Sequence, residues 1–363
     1  MSTGSPRRWY AGGRLPGARA AAPATTAPAS TVRRRLLRLA GRLGWPVGRP
    51  RVRRALPWAL VPASVGAVAV ARRRRQRRPD PCGPEGLALP DGRGDVVATA
   101  DGAALAVHVA GPDDGPVVVL VHCWTGAKEL WGPVARRLVH AGHRVVLYDQ
   151  RGHGSSTWGD GLPDIDQLGD DLAAVLARVD ARDALVAGHS MGGMSIQAYV
   201  GRHPGDAAER LSGAVLVATA ARTFGRELPA ALAERVLGDV APAWTRTGRI
   251  GTSLARRSMG AGAHPAHAVA VRDLLHATPG PVRVGCLLAM ARMDLGPGLA
   301  ATQVPATVLV GTRDLLTPPR SARALAAAWP DAELTVLPGA GHMLPIERPD
   351  EVVEAVLART SVR

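Results

Sequence analysis

Lysine is almost missing from this sequence. Lys128 stands alone among 45 lysine and arginine residues, so nearly all of the positive charge is arginine charge. With 42 glycines, 30 prolines and many alanines beside it, that excess has the stamp of GC-rich coding, and single arginines carry little functional information. Cysteine is also scarce. Cys82, Cys123 and Cys286 are far apart and odd in number, which excludes a disulfide framework and offers no zinc-ligand spacing. They leave the redox compartment open.

The net charge of +15 would suggest nucleic acid or a membrane as partner if it were spread evenly. It is concentrated at one end. Residues 1–86 hold nineteen arginines against Asp80 and Glu85, a net of +17, and the rest of the chain carries a net of −2. A basic extension therefore precedes a near-neutral body, expected over 87–360. The extension has only Trp9, Tyr10, Trp45 and Trp58 as stacking aromatics, which argues against nucleic-acid binding. Its first 31 residues have no apolar period and read as disordered. In "VRRRLLRLAGRL" (32–43), Val32, Leu36, Leu39 and Leu43 recur at helical spacing among arginines, which suits an anionic membrane surface.

A long apolar run is lacking as well. "ALPWALVPASVGAVAVA" (55–71) is 17 uncharged residues, the low end for a spanning helix, and Pro57, Pro62 and Gly66 weaken it. Three readings stay open: a weak membrane anchor, with residues 32–78 meeting the surface; a solvated basic tail, as a misplaced start codon would give; and a cleaved signal peptide. Arginines crowd both sides of the run and leave its orientation undecided. "RRRRQRR" (72–78) resists translocation, which favours a body in the cytoplasm or on the cytoplasmic membrane face, with export the alternative.

The body alternates short apolar runs with helical patterns. "DVVATA" (95–100) and "ALAVHVA" (104–110) flank Asp101-Gly102, a hairpin signal. Strands are then expected at 117–121, 144–148, 184–188, 214–219, 306–311 and 333–337. Val/Leu runs of this length suit strands buried on both faces of a parallel sheet. Helices are expected at 129–141, 164–180 (N-cap Asp164), 191–203, 321–329 and 348–359. The fold class is thus α/β, with helices on both faces of a mostly parallel sheet. Residues 220–300 break the rhythm and read as a helical cap inserted over the strands' carboxyl ends.

"ALVAGHSMGGMSIQAYV" (184–200) carries the chemistry. Ser190 sits in G-x-S-x-G between a strand and a helix, where a strained turn exposes the hydroxyl and small residues at minus two and plus two let strand and helix pass. Together with "YDQRGHGSS" (148–156), this motif resembles the α/β-hydrolase superfamily, in its serine-nucleophile esterase and lipase-like branch, over roughly 87–360. The resemblance implies structural roles for Asp149, Arg151, Gly152 and Gly154, and little for His153. It also implies the order serine, acid, histidine. Asp314, on the loop of "VLVGTRDLLTPP" (308–319), is the expected acid, ahead of Asp294 and Asp331, and His342 in "LPGAGHMLPIERPDEV" (337–352) is the expected base.

The loop "HCWTG" after the strand 117–121 takes the place of the family's His-Gly loop. Carried over by position, the backbone N–H groups of Trp124 and Met191 form the oxyanion hole, and Cys123 replaces the usual glycine. The Trp124 indole is expected to line the acyl pocket, and His189 either lines it too or packs within the elbow. A thiol nucleophile at Cys123 is disfavoured, because on an extended segment His122 points the other way.

The expected activity is hydrolysis of small-molecule carboxylic esters, lipid-derived or otherwise apolar, through an acyl-enzyme. Neither metal nor organic cofactor is implied. Thioester, lactone and C–C cleavage or acyl transfer remain alternatives on the same triad. A non-catalytic binding module is the rival from another class, and it would predict a broken triad. The inserted region carries ten arginines against five acids over 219–301, which hints at anionic substrates unless coding bias explains it. The sequence carries no signal for oligomeric state.

Overall fold

The computed structural model of the chain describes residues 79–222, 229–238, 248–260 and 263–360. The basic extension up to residue 78, including the segments expected at 32–43 and 55–71, lies outside the described residues. Among the described residues, no helix is long and apolar enough to cross a membrane.

Eight strands form one sheet in the order β1-β2-β4-β3-β5-β6-β7-β8. β1 (Gly92–Ala98) and β2 (Ala104–Ala110) make the expected antiparallel hairpin, with Gly102 at φ 82° in its turn. β2 also runs antiparallel to β4 (Arg144–Tyr148). From β4 onward all neighbours are parallel: β3 (Val117–Val121), β5 (Ala184–His189), β6 (Leu211–Val217), β7 (Ala306–Gly311) and β8 (Ala332–Leu337).

The continuous apolar runs are explained by two cores. Strand side chains alternate faces, and here both faces are covered. Val119, Val121, Val146, Tyr148 and Val186 face one core, and Val118, Leu120, Val145, Leu147 and Leu185 face the other. Helices α2 (Ile165–Arg178), α3 (Met191–Arg202) and α10 (Pro319–Ala328) cover the first face. Helices α1 (Gly132–His140) and α12 (Pro349–Thr360) cover the second. In α2 the Asp164 carboxylate accepts from the N–H of Asp166 at 3.0 Å, and the stripe Leu168, Leu172, Val175 and Leu176 is buried. Each such side chain stabilises the fold by roughly 1.5–3 kcal/mol.

Between β6 and β7 the chain makes α5 (Ala230–Leu237), α6 (Gly248–Arg257), α7 (Pro265–Ala277), α8 (Gly280–Arg292) and α9 (Gly296–Leu299). The insertion is helical as expected, and among its described residues a bridge of strand type joins Arg222 to Asp294. The short helices α4 (Pro204–Arg210) and α11 (Leu344–Glu347) and a 3-10 turn at Lys128–Trp131 complete the described fold.

Candidate active site

β5 ends at His189, and α3 begins at Met191, so Ser190 is the single residue of the turn. It sits at φ 53°, ψ −113°, a region that a side-chain-bearing residue occupies only under restraint. Its N–H donates to Val217 O at 2.9 Å, and its carbonyl accepts from the Thr219 hydroxyl at 2.7 Å. The flanking glycines are needed for room. A Cβ on Gly188 would lie 2.5 Å from Gly192 O, and one on Gly192 would run into the carbonyls of Val121 and His122. Strand, elbow and the loop after β3 are therefore in backbone contact.

Asp314 and His342 come from the loops after β7 and β8. The Nδ1–H of His342 donates to Asp314 Oδ2 at 2.8 Å, both side chains being buried. The other carboxylate oxygen accepts from the N–H groups of Leu316 and Thr317 at 2.8 and 2.9 Å. Burial pushes the Asp314 carboxyl upward, but the His342 ring and the hydrogen bonds from His342 and Thr317 outweigh it and hold it below its ordinary value. The Thr317 hydroxyl lies 2.8 Å from both Asp314 Oδ2 and Ala218 O. Its single proton serves one of them at a time. No hydrogen bond joins the Ser190 hydroxyl to His342 among the described residues; such contacts are often long before substrate binds. Of the competing acids, Asp294 is paired with Arg222 at 2.5 Å, and Asp331 lies just before β8, at the opposite edge of the sheet.

His342 is also held from behind. Its N–H donates to Ser258 O at 2.7 Å. Its carbonyl accepts from His189 Nε2 at 2.8 Å. His189 is fully buried, so it supports the histidine loop and does not line an open pocket. Glu347, to which the sequence reading gives no role, anchors the same loop. Its carboxylate accepts from the N–H groups of Gly260, Gly341 and Met343 at 2.7, 3.1 and 3.0 Å. Burial raises the Glu347 carboxyl above its ordinary value, against the pull of those three donors. One side chain thus ties the His342 loop to residue 260 of the insertion.

The loop after β3 is shaped by a buried polar network. His122 donates from Nδ1 to Cys123 O at 2.7 Å and accepts at Nε2 from the N–H of Gln150 at 2.9 Å. Gln150 returns its amide to His122 O at 2.5 Å and accepts from the Ser195 hydroxyl at 2.6 Å. His153 donates from Nδ1 to Arg151 O at 3.0 Å and accepts at Nε2 from the N–H of Thr125 at 3.1 Å. Lys128, the lone lysine, meets the buried Asp149 at 2.5 Å. Cys123 packs away from the site among Leu130, Met259 and Met343, and burial pushes its thiol up to about 12. The Thr125 donor is thereby engaged, and the neighbouring Trp124 N–H has no backbone acceptor among the described residues.

The buried histidines give the protein an acid limit. Burial, with His122 adding to it, pushes His153 down to about 3 from an ordinary value of 6.5. A lowered folded-state value favours the neutral ring. Its contribution to stability is present above pH 6.5 and is lost as pH falls towards about 3, by at most about 1.4 kcal/mol per pH unit. His153→Gln keeps an acceptor for Thr125 and does not titrate. Urea melts between pH 6.5 and 4 are expected to show a shallower loss of stability than wild type, and an unchanged slope would contradict the neutral assignment.

The insertion supplies an apolar wall. The Trp124 indole packs with Leu168, Met191, Met194, Val282 and Met290, and its Nε1–H donates to Arg283 O at 3.1 Å. Arg283 is buried and donates to the carbonyls of Leu237, Gly238, Leu275 and Thr278, at the C-terminal ends of α5 and α7. Cations suit such ends. Arg222 and Arg272 pair with Asp294 and Asp273. Three of the insertion's arginines are therefore committed within it.

A serine on a strained elbow, in a mostly parallel eight-stranded sheet with a helical insertion after β6, defines an enzyme of α/β-hydrolase type. A family model described as serine aminopeptidase, S33, matches residues 113–349, and the chain belongs to that family within the α/β-hydrolase superfamily. A non-heme chloroperoxidase of Kitasatospora aureofaciens is 30% identical over 260 residues, covering 68% of this chain and 91% of that protein. A bifunctional esterase/perhydrolase of Acinetobacter calcoaceticus is 39% identical over 112 residues, 30% of this chain and 40% of its own. Among solved structures, a thermophilic esterase from Thermogutta terrifontis aligns at TM-score 0.63 and 28% identity, over 73% of this chain and 97% of its own. An enol-lactonase from Burkholderia xenovorans aligns at 0.61 and 27%, over 74% and 100%.

Proposed function

We propose that the protein hydrolyses carboxylic esters of small or lipid-derived apolar acyl groups through an acyl-enzyme on Ser190. The observation that carries this reading is the His342–Asp314 contact of 2.8 Å, on loops at the strand edge where Ser190 heads α3. In the proposed reaction the Ser190 hydroxyl attacks the ester carbonyl and gives its proton to His342 Nε2. The N–H groups of Met191 and Trp124 receive the oxyanion, each worth about 3–4 kcal/mol to the transition state. Collapse expels the alcohol with the proton from His342. Water, deprotonated by the same ring, then attacks the acyl-serine and releases the acid. Asp314 holds the ring with its proton on Nδ1 and stabilises the imidazolium. The Trp124 and methionine wall supports an apolar acyl group.

A second outcome of the same intermediate is favoured by the likeness to a chloroperoxidase over 91% of that protein's length. If hydrogen peroxide attacks the acyl-serine in place of water, the product is a peracid. A panel of p-nitrophenyl esters of increasing acyl length, with and without peroxide, tests both. The expectation is turnover that depends on acyl length, with peracid formed in the peroxide arm if the second reading holds. Folded protein that turns over no ester in the panel would refute ester hydrolysis.

A further inference from the structure

Far from Ser190 in sequence, four side chains with metal-binding atoms converge. Asp80 and Cys82 flank Pro81 on the segment leading into β1. His264 caps α7, and His267 lies in its first turn. Asp80 Oδ1 is 2.8 Å from His267 Nε2, and Asp80 Oδ2 is 3.5 Å from His264 Nδ1. Cys82 Sγ is 3.2 Å from the same His267 Nε2. The ligand atoms of Asp80, His264 and His267 all lie within 4.8 Å of one another. Cys82 and His267 are almost fully buried, while Asp80 and His264 are partly open to solvent.

Hydrogen bonds from His267 to Asp80 and from the Cys82 thiol to Ile346 O leave His264 Nδ1, buried and facing Asp80, without a hydrogen-bond partner among the described residues. His267 Nε2 carries either one proton or one lone pair, yet both a carboxylate and a thiol face it. A nucleophilic Cys–His–Asp arrangement is excluded by the same geometry. Its acid would sit on the ring's other nitrogen, whereas His267 Nδ1 is buried without a partner. Groups crowded on one side of a ring nitrogen are arranged to share a cation.

We propose that Asp80, Cys82, His264 and His267 form a structural zinc site. Zinc binds at about 2.0–2.2 Å from nitrogen and oxygen and about 2.3 Å from sulfur, so tetrahedral ligand atoms lie about 3.2–3.6 Å apart. The three observed contacts of 2.8, 3.2 and 3.5 Å lie within a few tenths of an ångström of that spacing, while Cys82, outside the set of atoms within 4.8 Å of one another, must turn further to join it. One thiolate, one carboxylate and two imidazoles select zinc over magnesium or calcium, which prefer all-oxygen sets. The two anions neutralise the ion, which suits a largely buried position. Metal binding moves the Cys82 proton to solvent and ends the thiol's 3.6 Å contact with Ile346 O. The site fastens the segment at 80–82, itself held by Arg136 and Arg137 through the carbonyls of Cys82 and Pro81, to helix α7 of the insertion.

The test uses the full chain, incubated with zinc, desalted and assayed for bound metal, with cobalt(II) as a spectroscopic substitute. The expected result is about one zinc per chain. Cobalt should give the intense visible bands of tetrahedral coordination and a thiolate charge-transfer band. Cys82→Ser should lose the charge-transfer band. His264→Ala, at a partly exposed position, should lose tight zinc retention while staying folded. A chelator should lower the melting temperature of the wild type and leave that of His264→Ala unchanged. Absence of retained zinc, equal retention in His264→Ala, or an octahedral cobalt spectrum would overturn the proposal.

Discussion

Ser190→Ala is expected to lower kcat for ester hydrolysis by about 10⁶, the loss seen when a triad serine is removed. KM should change little, because the apolar wall around Trp124 does not depend on the hydroxyl. Covalent labelling by a fluorophosphonate should disappear. The fold should survive, since the hydroxyl holds no other group among the described residues and alanine meets the same backbone restraint at φ 53°. The measurement is single-turnover kinetics together with labelling and a melting curve. Labelling that persists on Cys123 would move the nucleophile. The geometry speaks against it: Cys123 is 5% exposed, and burial disfavours its thiolate.

Asp314→Asn is the second large effect, about 10⁴ in kcat. The reason is local. Asp314 Oδ1 accepts from the N–H groups of Leu316 and Thr317. An asparagine therefore keeps its carbonyl oxygen at that position and turns its NH₂ towards His342 Nδ1. A donor there forces the ring to carry its proton on Nε2, where the base must be free. Stability should fall only modestly, because the two backbone donors stay satisfied. The check is kcat beside the folded fraction from circular dichroism. Near-normal turnover would place the acid elsewhere. Thr317 sharpens the expectation, since its hydroxyl also faces Oδ2 at 2.8 Å.

Much of the fold was legible because its signals are short-range. The Val/Leu runs marked strands with two buried faces, and both cores are present. Asp164 marked a helix start through an acceptor two residues from its donor. Helix boundaries shifted by one or two residues, as terminal turns do, except at the start of α1, where residues 128–131 form a 3-10 turn and the α-helix begins at Gly132. Glu347 was not legible. It stands among charged residues near a helix start, where a carboxylate ordinarily faces water. Its three N–H partners come from the His342 loop and the insertion. Gln150 and Arg283 were hidden in the same way, and one of them looked like coding bias. His153, discounted as a catalytic group, is the acceptor that holds Thr125 beside the Trp124 N–H.

By itself the sequence determined the strand rhythm, the helical insertion and the elbow at Ser190, because periodicity, turn chemistry and glycine requirements act within a few residues of one another. Only the tertiary structure decided which buried polar atoms meet. Asp80 and His267 are 187 positions apart, and no spacing rule links them. Buried donors and acceptors must find partners or cost roughly 1–3 kcal/mol each. Those partners are chosen by packing after the chain has closed, so pairs such as Glu347 with Gly260 exist only in the folded molecule.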